Sequence, residues 1–159
     1  MPREPQPNEP FEEPPFEEIS GISRMHAQAM ETMDDDMVWV GAGMDQVIIY
    51  TIGRKSGNEH KIVVPVWYDD DGHRVVVASY AGAKQHPHWY LNLADKAANP
   101  EVRVRARDRE FWADAQILEG SEYDDVWNAL VADRPYYEDY QTRTDRRIPL
   151  VRLVEVRTV

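Results

Sequence analysis

The spacing of apolar residues along this chain changes period, and the change divides it into a helix followed by strands. From Phe16 to Met33 the residues Ile19, Ile22, Met25, Ala29 and Met33 recur at steps of three to four, the period of one amphipathic helix. The acidic run Asp34-Asp35-Asp36 ends it in solvent. Gln46–Ile52, His60–Tyr68 and Arg74–Tyr80 are then short, rich in Val, Ile, Tyr and Trp, and bounded by turn residues, which predicts strands. Asp69-Asp70-Asp71-Gly72 is a tight-turn sequence, so the second and third of these form an antiparallel hairpin. Glu101–Arg107 alternates Val102, Val104 and Ala106 with Arg103, Arg105 and Arg107, a half-buried strand with a basic outer face. Phe111–Leu118 pairs back onto it through Asp108 and Arg109, and a last strand covers Ile148–Val156. Helices are predicted over His86–Lys96 and Ser121–Asp133, the latter with Ser121 as its N-cap and Asp124 in its acidic first turn. Strands in hairpin order with helices between hairpins imply a mainly β chain with peripheral helices (α+β), an antiparallel barrel or strongly curved sheet. A doubly wound sheet does not fit that order.

Composition narrows the function classes. A chain of 159 residues with 42% hydrophobic content suits one domain. Residues 1–15 hold six prolines and several glutamates, predicting a disordered or extended acidic tail ahead of a single folded domain over 16–159. The net charge of -11 argues against a nucleic-acid partner, which would call for a basic face. Without cysteine there is no disulfide framework, thiolate metal site or cysteine nucleophile. His86 and His88 lack a converging third ligand in sequence, and Asp69–Asp71 lack the later ligands of a calcium loop, so no metal is expected. No stretch is long and apolar enough to span a membrane, which predicts a cytoplasmic protein.

Candidate chemistry concentrates in two places. Gly53-Arg54-Lys55-Ser56-Gly57 sets two cations and a hydroxyl on a glycine-flanked turn between strands, an anion cradle or simply an exposed turn. Tyr136, Tyr137 and Tyr140 form either an aromatic wall over a flat ligand or a cap on an apolar barrel edge. Trp89 reads from its helix alone as plain packing. Asp145 with Arg146 or Arg147 predicts an ion pair that fixes the last strand.

Five ordered motifs add a resemblance. Gly53-Arg54-Lys55-Ser56-Gly57, Val77-Ala78-Ser79 with Gly82-Ala83-Lys84, His86-Pro87-His88-Trp89-Tyr90-Leu91-Asn92-Leu93, Ala98-Asn99-Pro100-Glu101-Val102, and the segment Pro135 to Pro149 together resemble the deazaflavin-dependent nitroreductase family. The resemblance implies a split β-barrel related to flavin-binding oxidases and to pyridoxamine-phosphate-oxidase-like folds. It further implies coenzyme F-420, a deazaflavin with a phosphate and a polyglutamate tail, as cofactor. By that likeness Arg54, Lys55, Ser56, Lys61 and Lys84 face the anionic tail or phosphate, while Ala78, Ser79, Trp89, Tyr90 and Asn92 line the ring site. Ser79, Tyr137 and Tyr140 are the implied donors to a small-molecule acceptor, a quinone, nitro compound or activated alkene. The other readings of the same barrel are a non-catalytic deazaflavin carrier and a site for another anionic ligand, flavin mononucleotide or haem. Relatives of this fold often form homodimers. The chain departs from the family pattern at Tyr80, where a lysine is frequent, and at Arg134, where an aromatic residue is frequent. The stretch from Gly57 to Pro65 is longer than usual, leaving both His60 and Lys61 as candidates for the family's basic position.

Overall fold

Period-two alternation becomes eight antiparallel strands in a computed structural model that describes residues 25–33, 36–41 and 43–159. The tail over 1–15 and the first part of the predicted N-terminal helix lie outside the described residues. The strands are β1 (Val40–Gly41), β2 (Met44–Ile52), β3 (Glu59–Pro65), β4 (Trp67–Tyr68), β5 (Arg74–Val77), β6 (Val102–Arg105), β7 (Glu110–Ile117) and β8 (Leu150–Thr158). They run in the order β1-β2-β6-β7-β8-β5-β4, with β3 also paired to β2. The β6–β7 hairpin forms as predicted, with Val104 facing Phe111, whereas the segment predicted as one strand over His60–Tyr68 breaks in two: only β4 pairs with β5, Trp67 facing Val75, and β3 pairs with β2. A bulge between Trp112 and Ala113 shifts the β7–β8 register, the kind of insertion that bends a sheet.

The sheet curls because inward residues of six strands share one core. Ile49, Val64, Val76, Val104, Phe111 and Leu153 pack together, and Trp89 and Leu93 of α2 (His88–Ala94) join them. This is the expected antiparallel split barrel. A second core lies under α3 (Gly120–Asp133) and α4 (Tyr136–Thr142), where Tyr123, Leu130 and Tyr136 meet Trp67, Val75 and Leu150. In a third, the helix over 25–32, here α1, sets Ala27 and Met30 on Trp39, Ile48 and Tyr50.

The structure corrects four details. Met25 and Met33 are 73% and 53% exposed, so the buried stripe of α1 runs through Ala27 and Met30; the outward faces of Ile48 and Tyr50 decide which side docks. Glu119, in extended conformation, occupies the N-cap of α3 in place of Ser121, because the chain enters the helix at Gly120 with a φ of 60°. The tyrosine segment is itself a helix, begun at Pro135 and carrying Glu138 and Asp139 in its first turn, where they suit the helix dipole. Finally, Arg146 and Arg147 do not pair with Asp145 among the described residues. Arg147 stacks 3.6 Å over Tyr123, and Arg146 donates to backbone carbonyls. No described helix is long and apolar enough to cross a membrane.

Candidate functional site

The turn between β2 and β3 is closed by its own hydrogen bonds. Gly53 N donates to Asn58 O at 2.8 Å, Gly57 N to Gly53 O at 2.9 Å, and Asn58 N to Ser56 Oγ at 3.1 Å. Ser56 Oγ and His60 Nε2 fill the space where a Cβ on Gly53 would stand, so a side chain there would make both tips shift. Two buried amides tie the turn to α2. Asn92 Oδ1 accepts from the Arg54 backbone at 3.2 Å and from Arg54 Nη1 at 2.8 Å. Asn99, 2% exposed, accepts from Ile52 N at 2.7 Å and donates to Ile52 O and Asn92 O, both at 2.8 Å. Every hydrogen bond of that amide holds the end of β2 or the end of α2.

Beside the turn opens a cleft of about 890 Å³, in the range of cofactor pockets. Arg54, Lys55, Ser56, Lys61, Trp89 and Asn92 all line it, so six of the predicted binding residues converge. Trp89, 8% exposed, lines the cleft and also packs in the barrel core. The remaining predicted residues do not line the cleft. Ala78 is fully buried in the barrel core, and Ser79 Oγ accepts from Ala81 N at 3.4 Å. Lys84 is exposed past the turn that follows, and Tyr90 packs its ring 4.9 Å from His86. Tyr137 and Tyr140 are each 3% exposed, edge to face in the second core with ring centroids 5.9 Å apart.

The outer end of the cleft carries a charge cluster that sequence reasoning missed. Lys61 Nζ pairs with Glu31 Oε1 at 2.6 Å, and Tyr50 OH donates to Glu31 Oε2 at 2.8 Å. Arg103 lies 3.8 Å over the Tyr50 ring and pairs with Glu110 at 2.6 Å. Burial pushes the Glu31 carboxyl up, but hydrogen bonds from Lys61 and Tyr50 outweigh it and hold the group below its ordinary value. Burial, then the Glu31 hydrogen bond and charge, push Tyr50 up to about 12. The signal that would have found Glu31 is its place next to Met30 on the face of α1 that docks.

A second turn, Tyr80–Gly82, borders the same cleft through Tyr80. Tyr80 and Ala81 adopt φ values of 44° and 54°, left-handed conformations that cost a residue with a side chain about 1–3 kcal/mol each. Gly82 follows at 80°, and a Cβ there would lie 2.6 Å from Tyr140 O. Arg146 holds the turn from across the chain, with donors on the carbonyls of Ala78, Ser79 and Ala83 and Nη1 3.1 Å from His86 Nδ1. Burial lowers both Arg146 and His86 from their ordinary values, and the Arg146 charge lowers His86 further.

Comparison with known proteins converges on one family. Residues 22–155 match the family model described as F420H(2)-dependent quinone reductase. An F420H(2)-dependent quinone reductase of Mycobacterium tuberculosis is 31% identical over 110 residues, which cover 66% of this chain and 70% of the relative. A solved F420-H2 dependent reductase, FDR-A, superposes with a TM-score of 0.57 at 36% identity, covering 68% of this chain and 92% of that one. Another structure, described as a domain-swapped dimer, aligns at a TM-score of 0.60 and 30% identity over 82% of this chain and 95% of the other. The curled antiparallel sheet, the cationic turn on its cleft and these matches have one owner: the chain belongs to the F420H(2)-dependent quinone reductase family and is an oxidoreductase that uses coenzyme F-420.

Proposed function

We propose that this protein binds reduced F-420 in the cleft beside the Gly53–Asn58 turn and passes its hydride to a quinone. The observation that carries the reading is the convergence of Arg54, Lys55 and Lys61 on one cleft of a chain whose net charge is -11. A tail of several carboxylates would be repelled at long range, so local cations must oppose that field. Lys55 is exposed at the turn and meets the tail first, while Arg54 is held in place by Asn92 and keeps further donors for a phosphate oxygen. Ser56 adds a hydroxyl at the same turn. The absence of a Cβ at Gly53 lets the Ser56 and His60 side chains sit close against the turn.

Bound there, the reduced deazaflavin would supply a hydride, one proton carrying two electrons. The residues of this chain orient it, exclude water and polarise the acceptor oxygen. Trp89 provides apolar lining against the barrel core, and Tyr90 and Ala78 back it. Ser79, next to the cleft-lining Tyr80, is the proposed donor to the acceptor. Tyr137 and Tyr140 sit behind, in the core that abuts Gly82 through Tyr140 O, and support the turn that carries Ser79. Nitro compounds and activated alkenes are further acceptors of the same class. A homodimer completes the proposal, since one similar structure is a domain-swapped dimer.

The test is anaerobic mixing of the purified protein with reduced F-420 and a soluble quinone, following return of the oxidised chromophore's absorbance. A rate proportional to protein concentration is expected. Tight binding of the cofactor with no rate above the protein-free control would overturn the enzyme and leave a carrier.

A further inference from the structure

Tyr80 and Ala81 are consecutive residues with side chains in left-handed backbone conformation, and such strain persists only where the surroundings impose it. Its own bonds close the turn, Gly82 N to Ser79 O at 2.9 Å and Ala83 N to Tyr80 O at 3.0 Å, Arg143 Nη1 reaches Ala81 O at 3.5 Å, and one further side chain grips both flanks. Arg146 donates from Nε to Ala83 O at 2.8 Å, from Nη1 to Ala78 O at 3.1 Å and from Nη2 to Ser79 O at 2.6 Å, gripping the turn on both flanks. A planar guanidinium with five donors can span three carbonyls, and an ammonium on a flexible stem cannot reproduce that fork. Gly82 meanwhile backs directly against Tyr140 O, which leaves the turn no room to retreat. On the opposite side Tyr80 lines the cleft with Pro87, His88 and Trp89. The arginine has no carboxylate partner among these contacts, so its geometry is spent on holding backbone.

We propose that Arg146 is a positioning residue: its fork keeps the Tyr80–Gly82 turn in the strained form, and the strained form sets Tyr80 as an aromatic wall that determines which flat ring system the cleft accepts. The role assigned to Tyr80 rests on the reading of the cleft as the F-420 site. Without the fork, the carbonyls of Ala78 and Ala83 lose the Arg146 donors and that of Ser79 keeps only Gly82 N, so the turn relaxes to negative φ, taking the Tyr80 ring off the cleft.

The test uses the full chain with Arg146→Lys, Tyr80→Phe, Tyr80→Ala and the double variant Arg146→Lys/Tyr80→Ala, and two readouts. Without ligand, backbone amides of residues 79–83 in Arg146→Lys should exchange at least tenfold faster, while those of β8 keep their protection. With oxidised F-420, the Kd should rise about tenfold in Arg146→Lys and in Tyr80→Ala and stay within twofold in Tyr80→Phe. The double variant should be no worse than the weaker single one, because both changes remove the same wall. Wild-type exchange over 79–83 in Arg146→Lys overturns the positioning role, and so does a double variant whose losses multiply. If Arg146→Lys does not fold, the pair Tyr80→Ala and Tyr80→Phe still decides the wall, since equal Kd values for both would refute it. Failure of the wild-type protein to bind F-420 would instead remove the cofactor reading, and with it the role of Tyr80; the grip of Arg146 on the turn is then judged on amide exchange alone.

Discussion

Two turns border the cleft; both close through short-range backbone bonds, and they differ in strain and in what supports them from outside. Gly53–Asn58 has ordinary backbone at its first glycine and presents cations. Tyr80–Gly82 is strained, is gripped on its flanks by a side chain more than sixty positions away, and presents an aromatic ring. The first contributes charge to the site and the second contributes shape. Their supports differ accordingly: buried amides brace the first against α2, and a guanidinium clamps the second against the segment before β8.

The largest test of this contrast is Asn99→Ala. It removes all three hydrogen bonds of a buried amide, taking the side-chain partners from Ile52 N and O and leaving Asn92 O with Asp95 N alone, at a cost of about 3 kcal/mol. Thermal unfolding should show Tm falling by roughly 6–12 °C. An unchanged Tm would mean that the local bonds of the first turn suffice without its brace.

A smaller contrast compares two glycines. Gly82→Ala places a methyl 2.6 Å from a backbone oxygen at a φ of 80°, while Gly57→Ala meets open space at a φ of 72°. The second change costs only the left-handed backbone, about 1–2 kcal/mol, and the first adds a clash with backbone. Urea titration should rank Gly82→Ala as clearly less stable. Equal midpoints would show that the Tyr80–Gly82 turn is no more tightly packed than its neighbour.

The smallest effect concerns pH. The Glu31 carboxyl is held below its ordinary value of 4.5 in the folded chain, so its contribution is complete above that value and is lost as pH falls through the lower folded value. Lys61→Ala should flatten that acid limb of the stability curve. Tyr50 has the opposite sign: raised to about 12, it supports folding below its unfolded value near 10 and loses that support as pH climbs toward 12. Tyr50→Phe should flatten the alkaline limb. Identical limbs in variant and parent would dissolve the Glu31 cluster as an energetic unit.

The unequal legibility of the site follows from the same contrast. Val102, Val104 and Ala106 are buried and the intervening arginines face outward, as alternation alone dictates, because a strand's two faces are encoded in adjacent residues. The Gly53 turn is likewise local, and its cations on the cleft could be read from five residues. The outward arginines were legible only as a basic face, yet Arg103 and Arg105 lie over Tyr50 and Trp39, since α1 and the segment after it cover that side. Nothing near Arg146 in sequence marks the carbonyls of residues 78–83 as its partners; only chain topology brings them together. The three tyrosines of α4 were visible as an aromatic segment, but period alone could not tell a wall over a ligand from a buried helix face.

The central claim is that the cations on the Gly53–Asn58 turn hold an anionic deazaflavin. It is tested most directly by fluorescence titration of oxidised F-420 into wild-type protein and into the Arg54→Ala/Lys55→Ala variant. The account predicts micromolar or tighter binding that weakens at least tenfold in the variant, with added salt narrowing the difference. Equal affinity for both proteins, or none for the wild type, would contradict it.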